Sequence, residues 1–245
     1  MKEAALFSVI VPAHNEENYI GKCLKAIRTA EEQSDAGRVQ IIVVANRCTD
    51  QTAEIAEQYD AEVIENQDKC IASIRNAGAK AAAGKILVTV DADTYIAPET
   101  FKEIRSLLGS GKYIGGGAVP TFDRASPGIA CSTFYVLIQM LPEIIKARGM
   151  LSGAVFWCRK QDFDAVGGFD PSLISLEDLD FAKRLKEYGK KQGKKYGTLK
   201  SKIYTSARKF DQFGDWYLIK NRKITKRIFT GKDREAADQF YYDVR

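Results

Sequence analysis

Ile86-Leu87-Val88-Thr89-Val90-Asp91-Ala92-Asp93 is the stretch whose reading decides the fold. Its first five residues form a short apolar run rich in β-branched side chains, the signature of a buried strand. Two carboxylates with one small residue between them follow at the strand's C-terminal end. In open α/β sheets, ligands gather at that edge. A divalent cation takes oxygen ligands, and a nucleotide diphosphate needs its charge neutralised, so this arrangement can serve both. Asp also favours loops after strands for turn chemistry alone, so the motif gains weight only from its surroundings.

Upstream, strand and helix signals alternate. Phe7 to Val11 reads as a strand ended by Pro12, and Glu16 to Ala30 as a helix with Ile20, Leu24 and Ile27 on one face. Gln40 to Val44 and Ala61 to Ile64 read as strands, with a short helix at Thr52 to Tyr59 between them and Asp50 as a cap. Ile71 to Ala83 reads as a helix stopped by Gly84. Such alternation predicts a mostly parallel sheet with helices on both faces. Downstream the pattern loosens. Helices are expected at Pro98 to Leu108, at Pro127 to Arg148 with a break near Pro142, at Asp162 to Val166 and at Leu176 to Tyr188. Strands are expected at Tyr113 to Thr121, where Gly115-Gly116-Gly117 implies unusual backbone freedom, at Ala154 to Cys158 and at Ile203 to Thr205. The tail from Asp215 reads as helical, basic and aromatic.

The 245 residues suffice for one large α/β domain or two small ones, and 45% hydrophobic with 28% charged residues is ordinary for a globular chain. The net charge of +5 is unevenly spread: Lys183 to Arg234 holds eighteen Lys/Arg against four Asp/Glu. That suits a polyanionic partner or a solvated face. The five cysteines are scattered without a Cys-x-x-Cys pair, which argues against a disulfide framework or zinc site and for a reducing, cytoplasmic setting. The single His14 excludes a His-rich metal site within this chain. A secretory leader is not expected at the N-terminus, and no apolar run reaches 18 residues.

Four segments in order carry a resemblance: Val9-Ile10-Val11-Pro12-Ala13-His14-Asn15-Glu16-Glu17; Ile42 to Thr52; Val90-Asp91-Ala92-Asp93; and Gly167-Gly168-Phe169-Asp170 followed by Glu177-Asp178-Leu179-Asp180. Together, over about residues 5 to 210, the chain resembles the family 2 glycosyltransferases with the GT-A fold. That resemblance implies a nucleotide-binding half at about 1–95, an acceptor half at about 96–210 and a basic, aromatic helical tail over 211–245. It implies transfer of a sugar from a nucleotide-diphosphate sugar, usually with inversion, to a saccharide or lipid-linked hydroxyl.

The same resemblance assigns expected roles. Pro12, Ala13 and Glu16 lie where the family contacts the nucleoside. Ala45 and Asn46 replace two aspartates, and Asn46, which can both donate and accept, leaves the base open. Arg75 and Asn76 match an Arg-Asn pair near the donor. Asp93 is expected to touch the metal, Mg²⁺ or Mn²⁺, with Asp91 on ribose or a metal-bound water and Ala92 as the small spacer. Asp178 matches the general base, with Glu177 beside it, and Arg208 is expected near the donor phosphates. Gly153-Ala154, Ser152 and Trp157 fall near the sugar site, although a strand Trp more often belongs to the core. The basic tail and the apolar Ile129 to Arg148 region leave open a dimer surface or peripheral contact with the inner face of a membrane. A nucleotidyltransferase would need a Gly-rich loop with Lys after the first strand, where Pro12 to Glu16 stands instead. A basic module for nucleic acid does not explain the acidic strand ends.

Overall fold

The computed structural model describes residues 5–34, 37–146, 153–173 and 176–229. A seven-stranded sheet forms its centre, in the spatial order β3-β2-β1-β4-β8-β6-β9. The strands β1 (Phe7–Ala13), β2 (Gln40–Asn46), β3 (Glu62–Asn66) and β4 (Ile86–Val90) all run parallel. Beyond them, β8 (Gly153–Arg159) is antiparallel to both β4 and β6 (Tyr113–Ala118), and β9 (Lys195–Thr198) is parallel to β6. The sheet is therefore mostly parallel with one reversed strand, and the expected α/β class holds.

Side-chain alternation along the strands builds two apolar layers. Val9, Val11, Ile41, Val43 and Val88 face α1 (Ile20–Glu32), α2 (Thr52–Glu57) and α4 (Thr100–Gly109). Ile10, Ile42, Val44 and Leu87 face α3 (Ile71–Ala81), α6 (Lys160–Ala165) and α7 (Glu177–Lys191). Trp157, 1% exposed, is a core residue of the first layer and donates its indole N–H to the Gly117 carbonyl at 3.4 Å.

A second, three-stranded sheet joins β5 (Thr94–Ile96), β10 (Ile203–Thr205) and β7 (Thr121–Phe122), with β10 in the middle. It draws the late chain back to the end of β4, because β5 starts one residue after Asp93. Outside it, α5 (Pro127–Lys146), α8 (Arg208–Phe213), α9 (Tyr217–Lys220) and α10 (Arg222–Phe229) form a helical appendage. Its small core contains Ile129, Ala207, Phe210 and Leu218.

Several local expectations change. Strand β1 continues through Pro12 to Ala13, and Glu16 lies in the turn before α1, whose first residue is Ile20. Helix α5 runs through Pro142 to Lys146. Strands β5 and β9 have no counterpart in the sequence reading. The glycines of β6 answer to space, not to backbone freedom: none has positive φ, and a Cβ on Gly116 would lie 2.2 Å from the Gly197 carbonyl oxygen.

Candidate active site

The C-terminal ends of β1, β2 and β4 meet at one rim, as a parallel sheet requires. The backbone N–H of Asp91 donates to the Ala154 carbonyl at 3.0 Å, and the carbonyl of Asp93 accepts from Ser206 N at 3.0 Å. The first bond ties the motif to β8; the second brings the Ser206-Ala207-Arg208 segment onto it. The side chain of Asp123 steadies that segment by accepting from Ala207 N at 2.9 Å.

Two arginines then organise the acids. The guanidinium of Arg208 grips both carboxylate oxygens of Glu16, through Nη1 to Oε2 and through Nη2 to Oε1 at 2.8 Å. Its Nη2 also pairs with Asp93 Oδ2 at 2.9 Å, and its guanidinium lies over the Tyr19 ring at 4.8 Å. Burial opposes the charged guanidinium, but the Glu16 hydrogen bond and the charges of Asp93 and Glu16 outweigh that and push its pKa up. Glu16 is itself 2% exposed, and its N–H donates to Thr52 Oγ1 at 2.7 Å.

On the other side, buried Arg75 donates from Nη2 to Asp91 Oδ1 at 2.9 Å and from Nη1 to Glu177 Oε1 at 2.7 Å. Arg75 therefore bridges the β4 acid and the acidic pair at the start of α7. Burial disfavours its charge, yet Asp91 and Glu177 more than compensate and raise its pKa. Asp178, half-buried, accepts from Leu179 N at 2.7 Å. A carboxylate at a helix N-terminus is ordinarily favoured as the anion. Here burial and the adjacent Glu177 charge prevail over Arg75 and push its pKa up to about 7. Asn76 sets the approach to α7: its amide donates to the Phe169 carbonyl at 2.7 Å and its oxygen accepts from Phe169 N at 3.0 Å. Gly168, at φ +66°, fits beside it, since a Cβ there would be 2.7 Å from Asn76 Oδ1.

Glu16, Asp91, Asp93, Arg75, Glu177 and Arg208 are thus joined in two ion-paired groups, with Asp178 next in sequence to Glu177. Pro12 and Ala13 lie buried at the end of β1. Ala92 is buried between the two aspartates, at 3% exposure.

Asn46 is a correction. Its side chain is fully buried, and its amide donates to the Asn66 carbonyl at 2.9 Å and the Asp68 carbonyl at 2.8 Å, so it fastens the β2 end to the β3 end instead of facing a base. Asp50 likewise works as a cap, accepting from Thr52 N at 3.1 Å and Glu17 N at 3.0 Å. Burial opposes its ionisation, but these hydrogen bonds hold its pKa below the usual range. Ser152 lies outside the described residues. Sequence reasoning did not foresee the ion pairs themselves, because their partners are 16 to 192 positions apart.

Mg²⁺ and Mn²⁺ demand hard oxygen donors, which Asp91 and Asp93 supply. Among the described residues no group of three or more His, Cys, Asp or Glu could hold a metal. Asp91 and Asp93 are the carboxylates that would hold an ion of the kind that takes one or two of them and completes its shell with substrate phosphate and water. The Arg208 guanidinium already shows that positive charge is held between Asp93 and Glu16.

Comparison with known proteins agrees with this architecture. The chain is 28% identical over 190 residues to the glycosyltransferase AglE of Haloferax volcanii, a match covering 74% of this chain and 62% of AglE. It is 28% identical over 162 residues to the poly(ribitol-phosphate) β-N-acetylglucosaminyltransferase TarS of Staphylococcus aureus, covering 59% of this chain and 28% of TarS. The chain thus spans less than two thirds of the length of these relatives. Its fold matches the crystal structure of S. aureus TarS 1–349 in complex with UDP-GlcNAc at a TM-score of 0.60 and 22% identity, over 96% of this chain and 70% of that one. It also matches glucosyl-3-phosphoglycerate synthase from Mycobacterium tuberculosis, solved with Mn²⁺, UDP-glucose and phosphoglyceric acid, at a TM-score of 0.56 and 17% identity, over 92% of this chain and 79% of that one. Residues 8–150 match the model of glycosyl transferase family 2, and with the GT-A sheet around them they show that this chain belongs to that family.

Proposed function

We propose that the chain transfers a sugar, with inversion, from a nucleotide-diphosphate sugar to an acceptor hydroxyl of a saccharide or lipid-linked molecule. One observation carries this reading: Arg208 and Arg75 draw the acids of the β1, β4 and α7 motifs to the same sheet rim. Family membership supplies the reaction type.

In this scheme Glu16 accepts hydrogen bonds from nucleoside hydroxyls beside Pro12 and Ala13. A dication bound through Asp93 and Asp91 would supply charge neutralisation for the departing diphosphate. Arg208, exchanging Asp93 for the diphosphate, adds a guanidinium fork suited to phosphate oxygens. Asp178 takes the acceptor hydroxyl's proton as that oxygen bonds to the anomeric carbon and the bond to the diphosphate oxygen breaks. Arg75 holds Asp91 and Glu177 in fixed relation, so the donor and base sides keep their spacing. A base poised near neutrality suits this task better than an ordinary surface aspartate.

The test is a screen of nucleotide sugars for Mn²⁺-stimulated hydrolysis, with Asp93→Ala alongside. The reading expects one donor to be cleaved and the variant to fold but lose that cleavage. Wild-type turnover by Asp93→Ala at saturating Mn²⁺ would remove the metal role.

A further inference from the structure

Helix α5 carries no charged residue from Pro127 to Pro142. A helix that is apolar all round is normally buried or in contact with lipid. One side of α5 is buried: Ile129, Ser132 and Val136 face the appendage core, and Ser132 Oγ donates to the Asp215 carbonyl at 2.6 Å. The opposite side presents Phe134, Ile138, Leu141 and Ile145, at helical spacings of four, three and four. Phe134 is 63% exposed and Ile145 is 67% exposed. Among the described residues no helix is long and apolar enough to cross a membrane, so this stripe fits a surface.

The neighbouring segment states which surface. From Tyr217 to Phe229 there are five Lys/Arg and no acid. Within α10, which packs on α5 and α9, Thr225 is buried while Arg222, Lys223, Lys226 and Arg227 are exposed. Trp216, 45% exposed, stands at the start of this cationic run. An appendage that exposes an apolar stripe, a cationic run and an indole matches an anionic bilayer surface, where lysine and arginine meet lipid phosphates and apolar side chains enter the acyl boundary. A second copy of this chain would cover the aliphatic stripe but leave the cationic run without a counter-charge. Nucleic acid would use the cations but leave the aliphatic stripe in water.

We infer that the α5 outer face, together with α10, docks the protein peripherally on anionic membrane. This surface lies outside the candidate active site and does not depend on the transfer reaction.

The experiment is flotation of the full chain with vesicles of phosphatidylcholine alone or with about one third phosphatidylglycerol, at low and high salt. Partition to the anionic vesicles should exceed that to neutral ones by at least about tenfold and fall at high salt. Lys223→Gln with Lys226→Gln should weaken it by about 25-fold, at about fivefold per cation. Phe134→Ser with Ile138→Ser should abolish it with circular dichroism and donor hydrolysis unchanged. No binding, equal binding to both vesicles, or full binding by the Phe134→Ser/Ile138→Ser protein overturns the inference. So does a dimer, seen by sedimentation, that the serine variant dissolves while vesicles recover nothing. Salt-sensitive binding to a DNA oligomer without vesicle binding overturns it in favour of nucleic acid.

Discussion

Replacing Arg208 with alanine removes the guanidinium that faces Glu16 and Asp93 while leaving both acids in place. Glu16 is 2% exposed and the Asp93 side chain 16%, so neither charge is well solvated. Deleting one partner of a buried ion pair typically destabilises by about 3–5 kcal/mol. Glu16 and Asp93 have further interactions, which favours the lower end, about 3 kcal/mol. At about 2 °C per kcal/mol for a chain of this length, the melting temperature should fall by about 6 °C. If Arg208 stands where positive charge belongs, Mn²⁺ should substitute for it. At a hundred times its dissociation constant an ion bound only to the folded state returns about 2.7 kcal/mol, most of the deficit. Mn²⁺ without nucleotide should therefore raise the melting temperature of Arg208→Ala more than that of the wild type, where the arginine competes. Arg208→Lys keeps a charge without the fork and should fall between them. The assay is thermal melting across a MnCl₂ series, read by calorimetry. A drop under about 2 °C, or equal Mn²⁺ stabilisation of both proteins, would refute the reasoning.

Asp178→Asn should retain donor binding by calorimetry yet lower transfer by about 10²–10⁴-fold; parallel loss of both would give Asp178 a structural role only. Wild-type transfer should rise with pH through about 7, as the Asp178 carboxylate loses its proton. Stability should move the opposite way: the folded-state pKa lies above the usual value near 4, so the folded protein holds the extra proton and becomes less stable as pH climbs from about 4 to about 7. Urea unfolding across that range should show the slope in wild type and a flatter profile in Asp178→Asn. Gly116→Val should destabilise by about 3 kcal/mol or more, because its Cβ would lie 2.2 Å from a backbone oxygen and 2.4 Å from the Trp157 ring. A melting temperature unchanged from wild type would show that β9 yields more easily than its packing implies.

The first part of the chain was legible because its signals are local. The β4 run, the apolar face of α1 at Ile20, Leu24 and Ile27, and the acids after Val90 can each be read within a dozen residues. The later part hid more. The three residues of β5 and four of β9 are too short to show a period, and they exist through pairing with distant strands. Pro142 was read as a break, yet α5 passes through it. The motif pattern singled out Glu16, Asp91, Asp93, Glu177 and Arg208 as candidates, and the structure joins them through two arginine bridges that no local pattern shows. Asn46 shows the converse: a motif position can hold a polar residue whose amide donors are spent inside the fold.

The reversed direction of β8 has a consequence for how such a protein can diversify. Because β8 runs against β4, its first residues, not its last, lie at the rim that holds Asp91, as the Asp91 to Ala154 hydrogen bond shows. The start of β8, Gly153-Ala154, can therefore vary at that rim without any change in the four parallel strands. On the proposed function, exchanging Gly153 and Ala154 for the residues of a relative should retune which hydroxyl is glycosylated while the ends of β1, β2 and β4 stay as they are.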